Sequence, residues 1–303
     1  MKVVITGITG FVGVNLASYL ESSGKEVFGV SRKENIDKNI TSYNRFTLDN
    51  FHALIHLAGK AHDLKKTSQD KEYFEVNTEL TKVLFDQFLK SKCEVFIYMS
   101  SVKAVADKVE GRLTEEALPN PISVYGKSKL AAETYILSKE IPSNKRVYIL
   151  RPCMIHGPGN KGNLNLLFSF VSKGIWYPFG KYENKRSFVS VENLCFIINE
   201  LLGNKSIASG IYNIADDTSI STNELVSIIG KSISKPAKIL NIPKFIIEIL
   251  ARIGDIIPIP VNSERLQKLT ENYEVSNMKI KKAIQKNLPL TTEKGIEKTI
   301  VSF

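Results

Sequence analysis

Residues 2–13 read KVVITGITGFVG, and this stretch decides the fold. A β-branched run ends at Gly7, three glycines follow with the spacing GxxGxxG, and a segment with helical periodicity begins at Phe11. Glycines between a strand and a helix let backbone N–H groups approach a pyrophosphate at the helix N-terminus. The stretch therefore predicts a dinucleotide-binding turn, formed by Gly7, Gly10, Phe11, Val12 and Gly13.

The first half of the chain repeats this order of elements. Apolar runs predict strands at Val27–Val30, Leu54–Leu57, Val95–Met99 and Val147–Leu150, with helices at Phe11–Ser22, Glu75–Lys90 and Ser123–Leu137. Alternating strands and helices form parallel sheets covered on both faces. We therefore expect an α/β fold, a Rossmann-like doubly wound parallel sheet with a smaller mixed C-terminal substrate-binding lobe. The cofactor domain is assigned to residues 1–155 with 187–216 returning to it, and the lobe to 156–186 and 217–303.

The end of the second strand distinguishes between cofactors. An acidic residue there binds the ribose hydroxyls of NAD, whereas an arginine accommodates the 2′-phosphate of NADP. This chain has Ser31, Arg32 and Lys33 at that point and no acidic residue. The sequence therefore favours NADP(H), with NAD(H) as the alternative. A solvated turn without a role in cofactor choice is the other interpretation of the two cations.

Two groups of residues predict proton-transfer chemistry. Tyr125 and Lys129 are four positions apart on a predicted helix and so share one face. A nearby ammonium favours the phenolate, and we expect it to lower the pKa of the tyrosine. Ser100 and Ser101 follow the strand Val95–Met99, at the carboxyl edge of the sheet where ligands bind. A serine hydroxyl there can hydrogen-bond a reacting oxygen.

These motifs together resemble the extended short-chain dehydrogenase/reductase family, and within it the NAD-dependent epimerase/dehydratase branch that acts on nucleotide sugars. The resemblance rests on TGITGFVG, on HLAG at 56–59, on YGKSK at 125–129, and on RPCMIHGPG and KRSFVSVENL at 151–159 and 185–194. It implies that Ser101, Tyr125 and Lys129 form a catalytic triad, in which the tyrosine exchanges a proton with a sugar hydroxyl or ketone. It also implies cofactor contacts from Leu57, Ala58, Gly59, Asn77 and Pro152.

The branch contains dehydratases, epimerases and reductases. Dehydratases carry an acidic residue just after the catalytic serine or threonine, whereas Val102 and Lys103 follow Ser101 here. The cations at the end of the second strand favour reduction. The chain also resembles, more loosely, reductases of UDP-4-keto-6-deoxy-N-acetylhexosamines, and this resemblance implies such a substrate in surface-polysaccharide biosynthesis. A UDP-sugar 4-epimerase with retained NAD is the alternative. A non-catalytic, cofactor-sensing regulator is less favoured because Tyr125 and Lys129 are both present.

Charge and the remaining arginines predict the substrate site. The chain has 41 basic and 31 acidic side chains, and residues 151–303 hold 20 and 13 of them, a net charge of +7. We expect an anionic nucleotide cofactor and a UDP-sugar rather than nucleic acid, for which the chain has no motif or basic stripe. The resemblance places Arg186 and Arg265 against the diphosphate, with Lys103 and Asn163 as further candidate contacts. Lys103 is alternatively a solvated loop lysine.

Other features predict location and assembly. Three cysteines without a CxxC motif favour a reducing, cytoplasmic compartment, and four histidines without zinc spacing predict no metal site. Charges interrupt the apolar stretch Ile239–Val261, which indicates an amphipathic helix rather than a membrane span. By resemblance, the helices Glu75–Lys90 and Ser123–Leu137 predict a homodimer.

Overall fold

A seven-stranded parallel sheet forms the centre of the protein, as seen in a computed structural model that describes residues 1–31, 40–42, 47–61, 69–160, 163–257 and 262–303. Its strand order is β10-β7-β5-β4-β1-β2-β3. The strands are β1 (Lys2–Thr6), β2 (Glu26–Ser31), β3 (Ile40–Ser42), β4 (Ala53–His56), β5 (Val95–Met99), β7 (Arg146–Pro152) and β10 (Gly210–Ile214). The predicted α/β, Rossmann-like fold is confirmed.

The described helices cover the sheet and extend beyond it. They are α1 (Phe11–Ser22), α2 (Asp70–Phe74), α3 (Leu80–Lys90), α4 (Val124–Leu137), α5 (Asn163–Ser172), α6 (Val191–Gly203), α7 (Thr222–Ser232), α8 (Lys244–Gly254), α9 (Ser263–Thr270), α10 (Met278–Ile284) and α11 (Thr292–Val301). A π-helical turn, Glu75–Glu79, joins α2 to α3. The helix predicted at 75–90 therefore begins earlier and contains a local change of winding.

Short strand pairs outside the main sheet hold the second half of the chain. They are β6 (Arg112–Leu113) with β11 (Glu274–Val275), and β8 (Met154–His156) with β9 (Phe188–Ser190). A separate apolar cluster, including Val226, Ile229 and Ile247, draws most of its residues from 156–186 and 217–303. The division into two domains stays a prediction.

Candidate active site

The predicted cofactor turn lies at the carboxyl end of β1, where the order of the sheet reverses between β1 and β4. Such reversal points are where open α/β sheets bind ligands. The turn is closed by a hydrogen bond from Gly10 N to Gly7 O at 3.0 Å, and α1 follows. A Cβ on Gly13 would stand 2.3 Å from Gly7 O. Only glycine therefore lets α1 approach this closely and form a cradle in which a pyrophosphate fits.

A buried chain of hydrogen bonds joins this turn to the neighbouring loop. Thr81 Oγ1 donates to Asn77 O at 2.7 Å, and His56 Nε2 lies 3.0 Å from the same hydroxyl. The histidine therefore donates from Nε2, and its Nδ1 accepts from Thr6 Oγ1 at 2.6 Å. Thr6 Oγ1 in turn accepts from Ala58 N at 3.2 Å. Burial lowers the pKa of His56 to about 3, so the ring stays neutral.

Asn77 ties three segments together. It accepts from Lys60 N at 2.7 Å through Oδ1, and its amide nitrogen donates to Lys60 O at 3.0 Å and to Ser128 Oγ at 2.9 Å. Asn77 therefore fixes the loop after β4, which holds Leu57, Ala58 and Gly59, against the helix α4. The structure thus brings these predicted cofactor residues next to the predicted catalytic helix.

Ser101, Tyr125 and Lys129 meet at the end of β5. The Ser101 side chain lies close enough to Tyr125 to oppose the rise in the pKa of that tyrosine, and it accepts from Lys103 N at 3.2 Å to begin a 3₁₀ turn, Val102–Ala104. A Cβ on Gly126 would stand 2.3 Å from Lys103 O, so glycine at this position allows α4 to contact that turn. The glycine of the YGKSK motif therefore sets the distance between serine and tyrosine.

Lys129 is buried beneath this pair. Its Nζ donates to Met99 O at 2.8 Å and lies 3.0 Å from where a Cβ on Gly59 would stand. Burial lowers the pKa of Lys129 to about 8, and the charge of Glu133 opposes that shift. Burial also raises the pKa of Tyr125, opposed by the hydrogen bond from Ser101. The expected lowering of the pKa of Tyr125 is therefore wrong for this geometry, because burial of the tyrosine outweighs the opposing effect of Ser101.

A buried ion pair next to Lys129 was missed from the sequence. Arg151 Nε donates to the Glu133 carboxylate at 3.0 and 3.1 Å, and Ser100 Oγ donates to the same carboxylate. Both charged side chains are almost fully buried. Glu133 is four positions after Lys129 on α4, and that spacing is the signal in the sequence that could have identified it.

Lys103 lies in a second cluster of side chains, which includes Tyr273 and Glu271 from the C-terminal part of the chain. Its Nζ donates to Asp107 O at 2.7 Å and lies 4.5 Å from the centre of the Tyr273 ring. It is half-buried, so it is not a solvated loop lysine. Burial lowers its pKa, and the charges of Glu271 and Asp107 oppose the shift. Tyr273 and Glu271 were not predicted as site residues because nothing local marks them.

Arg186 belongs to the same cluster. It donates to the backbone oxygen of Lys268 near the end of α9, and lies 3.8 Å from the Glu271 carboxylate. Burial lowers its pKa, and Glu271 opposes that effect. Arg265 stands one turn earlier on α9, with its N–H bonded to Asn262 Oδ1 at 2.9 Å. The structure therefore collects Lys103, Arg186 and the helix that carries Arg265 in one region.

The remaining predicted site residues are placed only in part. Ser31 ends β2 and Pro152 ends β7, both at the carboxyl edge of the sheet. Arg32 and Lys33 lie outside the described residues, as does the side chain of Asn163, which begins α5. Cys93, Cys153 and Cys195 are free and buried. In the described part of the chain, no group of three His, Cys, Asp or Glu side chains could hold a metal ion.

The family of the chain follows from its sequence as a whole. The model of the NAD dependent epimerase/dehydratase family matches residues 3–215. The chain belongs to this family. Its members in the comparisons include nucleotide-sugar epimerases and reductases of the extended short-chain dehydrogenase/reductase fold, and the chain is an NAD(P)-dependent enzyme of that kind.

Three curated relatives span most of the chain. A UDP-glucose 4-epimerase of Vibrio cholerae is 29% identical over all of this chain and 95% of its own length. An N-acetyl-alpha-D-glucosaminyl-diphospho-ditrans,octacis-undecaprenol 4-epimerase of Escherichia coli O157:H7 is 26% identical over 93% of this chain and 85% of its own. A GDP-6-deoxy-D-mannose reductase of Pseudomonas aeruginosa is 26% identical over 75% of this chain and 79% of its own.

Solved structures show the same fold. The UDP-glucuronic acid 4-epimerase of Bacillus cereus, in complex with NAD, covers 100% of this chain and 98% of its own, with a TM-score of 0.74 and 18% identity. The structure of a human epimerase family protein with NADPH matches 99% of this chain and 99% of its own, with a TM-score of 0.78 and 18% identity. Both cofactors therefore occur on this fold.

Proposed function

We propose that the chain catalyses hydride and proton exchange at C4 of a diphosphate-linked sugar, with 4-epimerisation of a UDP-sugar as the leading reaction. The observation that carries the proposal is the grouping of Ser101 and Tyr125, whose side chains interact, with the buried Lys129, whose Nζ donates to Met99 O at 2.8 Å at the carboxyl end of β5. No carboxylate follows Ser101, since Val102 and Lys103 occupy those positions, and this disfavours dehydration. The remaining reactions are epimerisation and reduction.

In this mechanism each residue of the triad has one task. A bound NAD(P) supplies the acceptor and the donor of the hydride. Tyr125 takes the proton of the C4 hydroxyl as that carbon is oxidised, and returns it when the ketone is reduced from the other face. Ser101 donates a hydrogen bond to the reacting oxygen. Lys129, one turn from Tyr125 on α4, would place its positive charge near the tyrosine as negative charge develops there during proton transfer.

The same geometry fits the residues proposed to hold the cofactor. Gly7, Gly10, Phe11, Val12 and Gly13 would bind the pyrophosphate, with Asn77 and the loop Leu57, Ala58 and Gly59 next to the nicotinamide half. Arg186 and Arg265 would bind the substrate diphosphate, for which guanidinium groups are suited. Lys103 is proposed as a contact of the same diphosphate, because it is clustered with Arg186.

Two observations order the alternatives. Two relatives that match more than nine tenths of this chain are named as 4-epimerases, one of UDP-glucose and the other of an N-acetylglucosaminyl-diphospho-undecaprenol. We therefore place epimerisation ahead of the 4-keto reduction favoured by the sequence. Reduction of a UDP-4-keto-6-deoxy-hexosamine remains the second candidate, because Arg32 and Lys33 favour exchangeable NADP(H).

The test is turnover by the purified full chain. Interconversion of UDP-glucose or UDP-N-acetylglucosamine without added cofactor supports the epimerase, whereas NADPH consumption with a UDP-4-keto-6-deoxy sugar supports the reductase. We expect Tyr125→Phe to reduce turnover about a hundredfold or more by removing the proton carrier. Tyr135→Phe is the matched control on the same helix, because its hydroxyl donates to Asp86 away from the triad.

Unchanged turnover in Tyr125→Phe would contradict the mechanism. A separate experiment tests the choice of cofactor. Arg32→Ala is expected to weaken any preference for NADPH over NADH. An unchanged ratio would show that Arg32 does not contact the 2′-phosphate.

A further inference from the structure

Helix α8 presents a row of apolar side chains to the outside of the protein. At about 100° per residue, Phe245, Ile246, Ile249, Leu250 and Ile253 fall within an arc of about 140°. These five side chains, the apolar strip of α8, are between 38% and 62% exposed. Ile247 and Ala251 point the other way, are buried, and attach the helix to the protein.

The charged residues of α8 occupy a third sector, separate from the strip. Lys244, Glu248 and Arg252 fall together between the buried side and the strip when the helix is viewed along its axis. Single exposed apolar residues are ordinary on a protein surface. Five on one face of an eleven-residue helix form a contiguous patch, which is typical of an interaction surface.

The segment that contains α8 and the segment paired with it are basic. Residues 171–182 and 234–257, which pair through the bridges Tyr177–Ile239 and Phe179–Asn241, carry six basic and two acidic side chains, a net charge of +4. Between these segments lies a cavity of about 350 Å³ whose lining includes Lys173, Lys235 and Lys238. None of the predicted cofactor or substrate residues lines it.

An exposed tryptophan lies on the segment 171–182, which pairs with the segment that leads into α8. Trp176 is 54% exposed, and Lys238 Nζ lies 5.3 Å from the centre of its ring. Tryptophan and lysine together are typical of the boundary between lipid headgroups and acyl chains. These two paired segments, with α8, therefore supply the side-chain types of an interfacial membrane-binding segment.

We propose that the apolar strip of α8 docks on the surface of an anionic lipid bilayer. The helix lies in the plane of the interface with the strip in the acyl boundary, and the lysines bind lipid phosphates. At about 16 Å in length, α8 is too short to cross a membrane. No described helix is long and apolar enough for that. A second copy of the chain is a poorer occupant, since a two-fold interface would bring two basic surfaces together.

Docking has a consequence for the C-terminal region. The Asp255 carboxylate, just after α8, accepts from Ser263 N at 2.9 Å and from Ser263 Oγ at 2.6 Å, and so connects α8 to the start of α9. Because α9 carries Arg265, docking of α8 would bring the proposed diphosphate contact close to the bilayer. This consequence alone rests on the proposed function.

The test is flotation of the full chain with phosphatidylcholine vesicles, with and without phosphatidylglycerol. We expect the protein to float with the anionic vesicles and to dissociate as salt is added. The double variant Phe245→Glu, Ile249→Glu is expected to bind these vesicles at least about tenfold more weakly than the unmodified chain. Met278→Glu is the matched control, an exposed apolar residue at the start of α10, and should float like the unmodified chain.

Three outcomes would overturn the proposal. These are failure of the unmodified chain to float, equal flotation of the double variant, and a dimer seen by sedimentation velocity that the double variant abolishes without any vesicle binding. Circular dichroism of each variant checks that it is folded before its flotation is compared. Flotation needs no turnover, and UDP-sugar turnover in solution needs no vesicle, so failure of the docking and failure of the proposed reaction are distinguishable.

Discussion

At the scale of single residues, the burial of Lys129 determines how the site should respond to pH. Its pKa is lowered to about 8, and the charge of Glu133 limits the shift. Below that pH the ammonium is present, and above it the side chain becomes neutral. If the charged form assists Tyr125, turnover should fall as pH rises through about 8.

We expect kcat/KM to fall by up to about tenfold per pH unit on this alkaline limb. The measurement is a pH profile of kcat/KM, with stability followed in parallel so that unfolding is not mistaken for inactivation. Lys82→Met is the control, because Lys82 pairs with Glu79 on the surface at 2.8 Å, and its profile should match the unmodified chain. A flat profile between pH 7 and about 10 would show that the charge of Lys129 is not needed.

At the scale of elements, the chain of hydrogen bonds through His56 holds β1, β4 and α3 in register. The pKa of His56 is lowered from 6.5 to about 3, so between these values the unfolded chain binds a proton that the folded chain does not. The contribution of His56 to the free energy of unfolding is therefore fully present above pH 6.5 and is lost as the pH falls towards 3. The loss from this group is about 1.4 kcal/mol per pH unit over that range.

Urea unfolding at several pH values checks this. His56→Gln should be less stable at neutral pH but should depend less steeply on pH below 6.5. His52→Gln serves as the control, because His52 is exposed in the folded chain, and its pH dependence should match the unmodified protein. If His56→Gln keeps the full slope, the acid sensitivity comes from other groups.

The elements themselves were predictable where the signal is local. The sequence predicts α1 at 11–22 and β5 at 95–99, as the structure has them, because the glycine turn and a continuous apolar run mark their ends. The role of His56 was not predictable, because strand pairing brings it to Thr6 across fifty positions of sequence. The direction of the Tyr125 pKa shift was wrong for a related reason: the burial that raises this pKa comes from tertiary packing, which the local sequence around Tyr125 does not show.

At the scale of the whole molecule, the predicted homodimer gives the last expectation. The resemblance places the interface on the helices that the structure shows as α3 and α4, and each presents an exposed apolar side chain. Val83 on α3 is 54% exposed and Leu137 on α4 is 57% exposed. Burial of both against a second copy would remove apolar surface from water and stabilise association.

The variant Val83→Glu, Leu137→Glu should therefore weaken the dimer about tenfold or more, because the interface must then desolvate two carboxylates from each protomer. Light scattering over a concentration series measures the change. Leu166→Glu is the matched control, since Leu166 on α5 is 73% exposed and lies outside the predicted interface. A monomer at all concentrations would remove the prediction. A dimer lost in Leu166→Glu but kept in the double variant would place the interface at α5 instead of at α3 and α4.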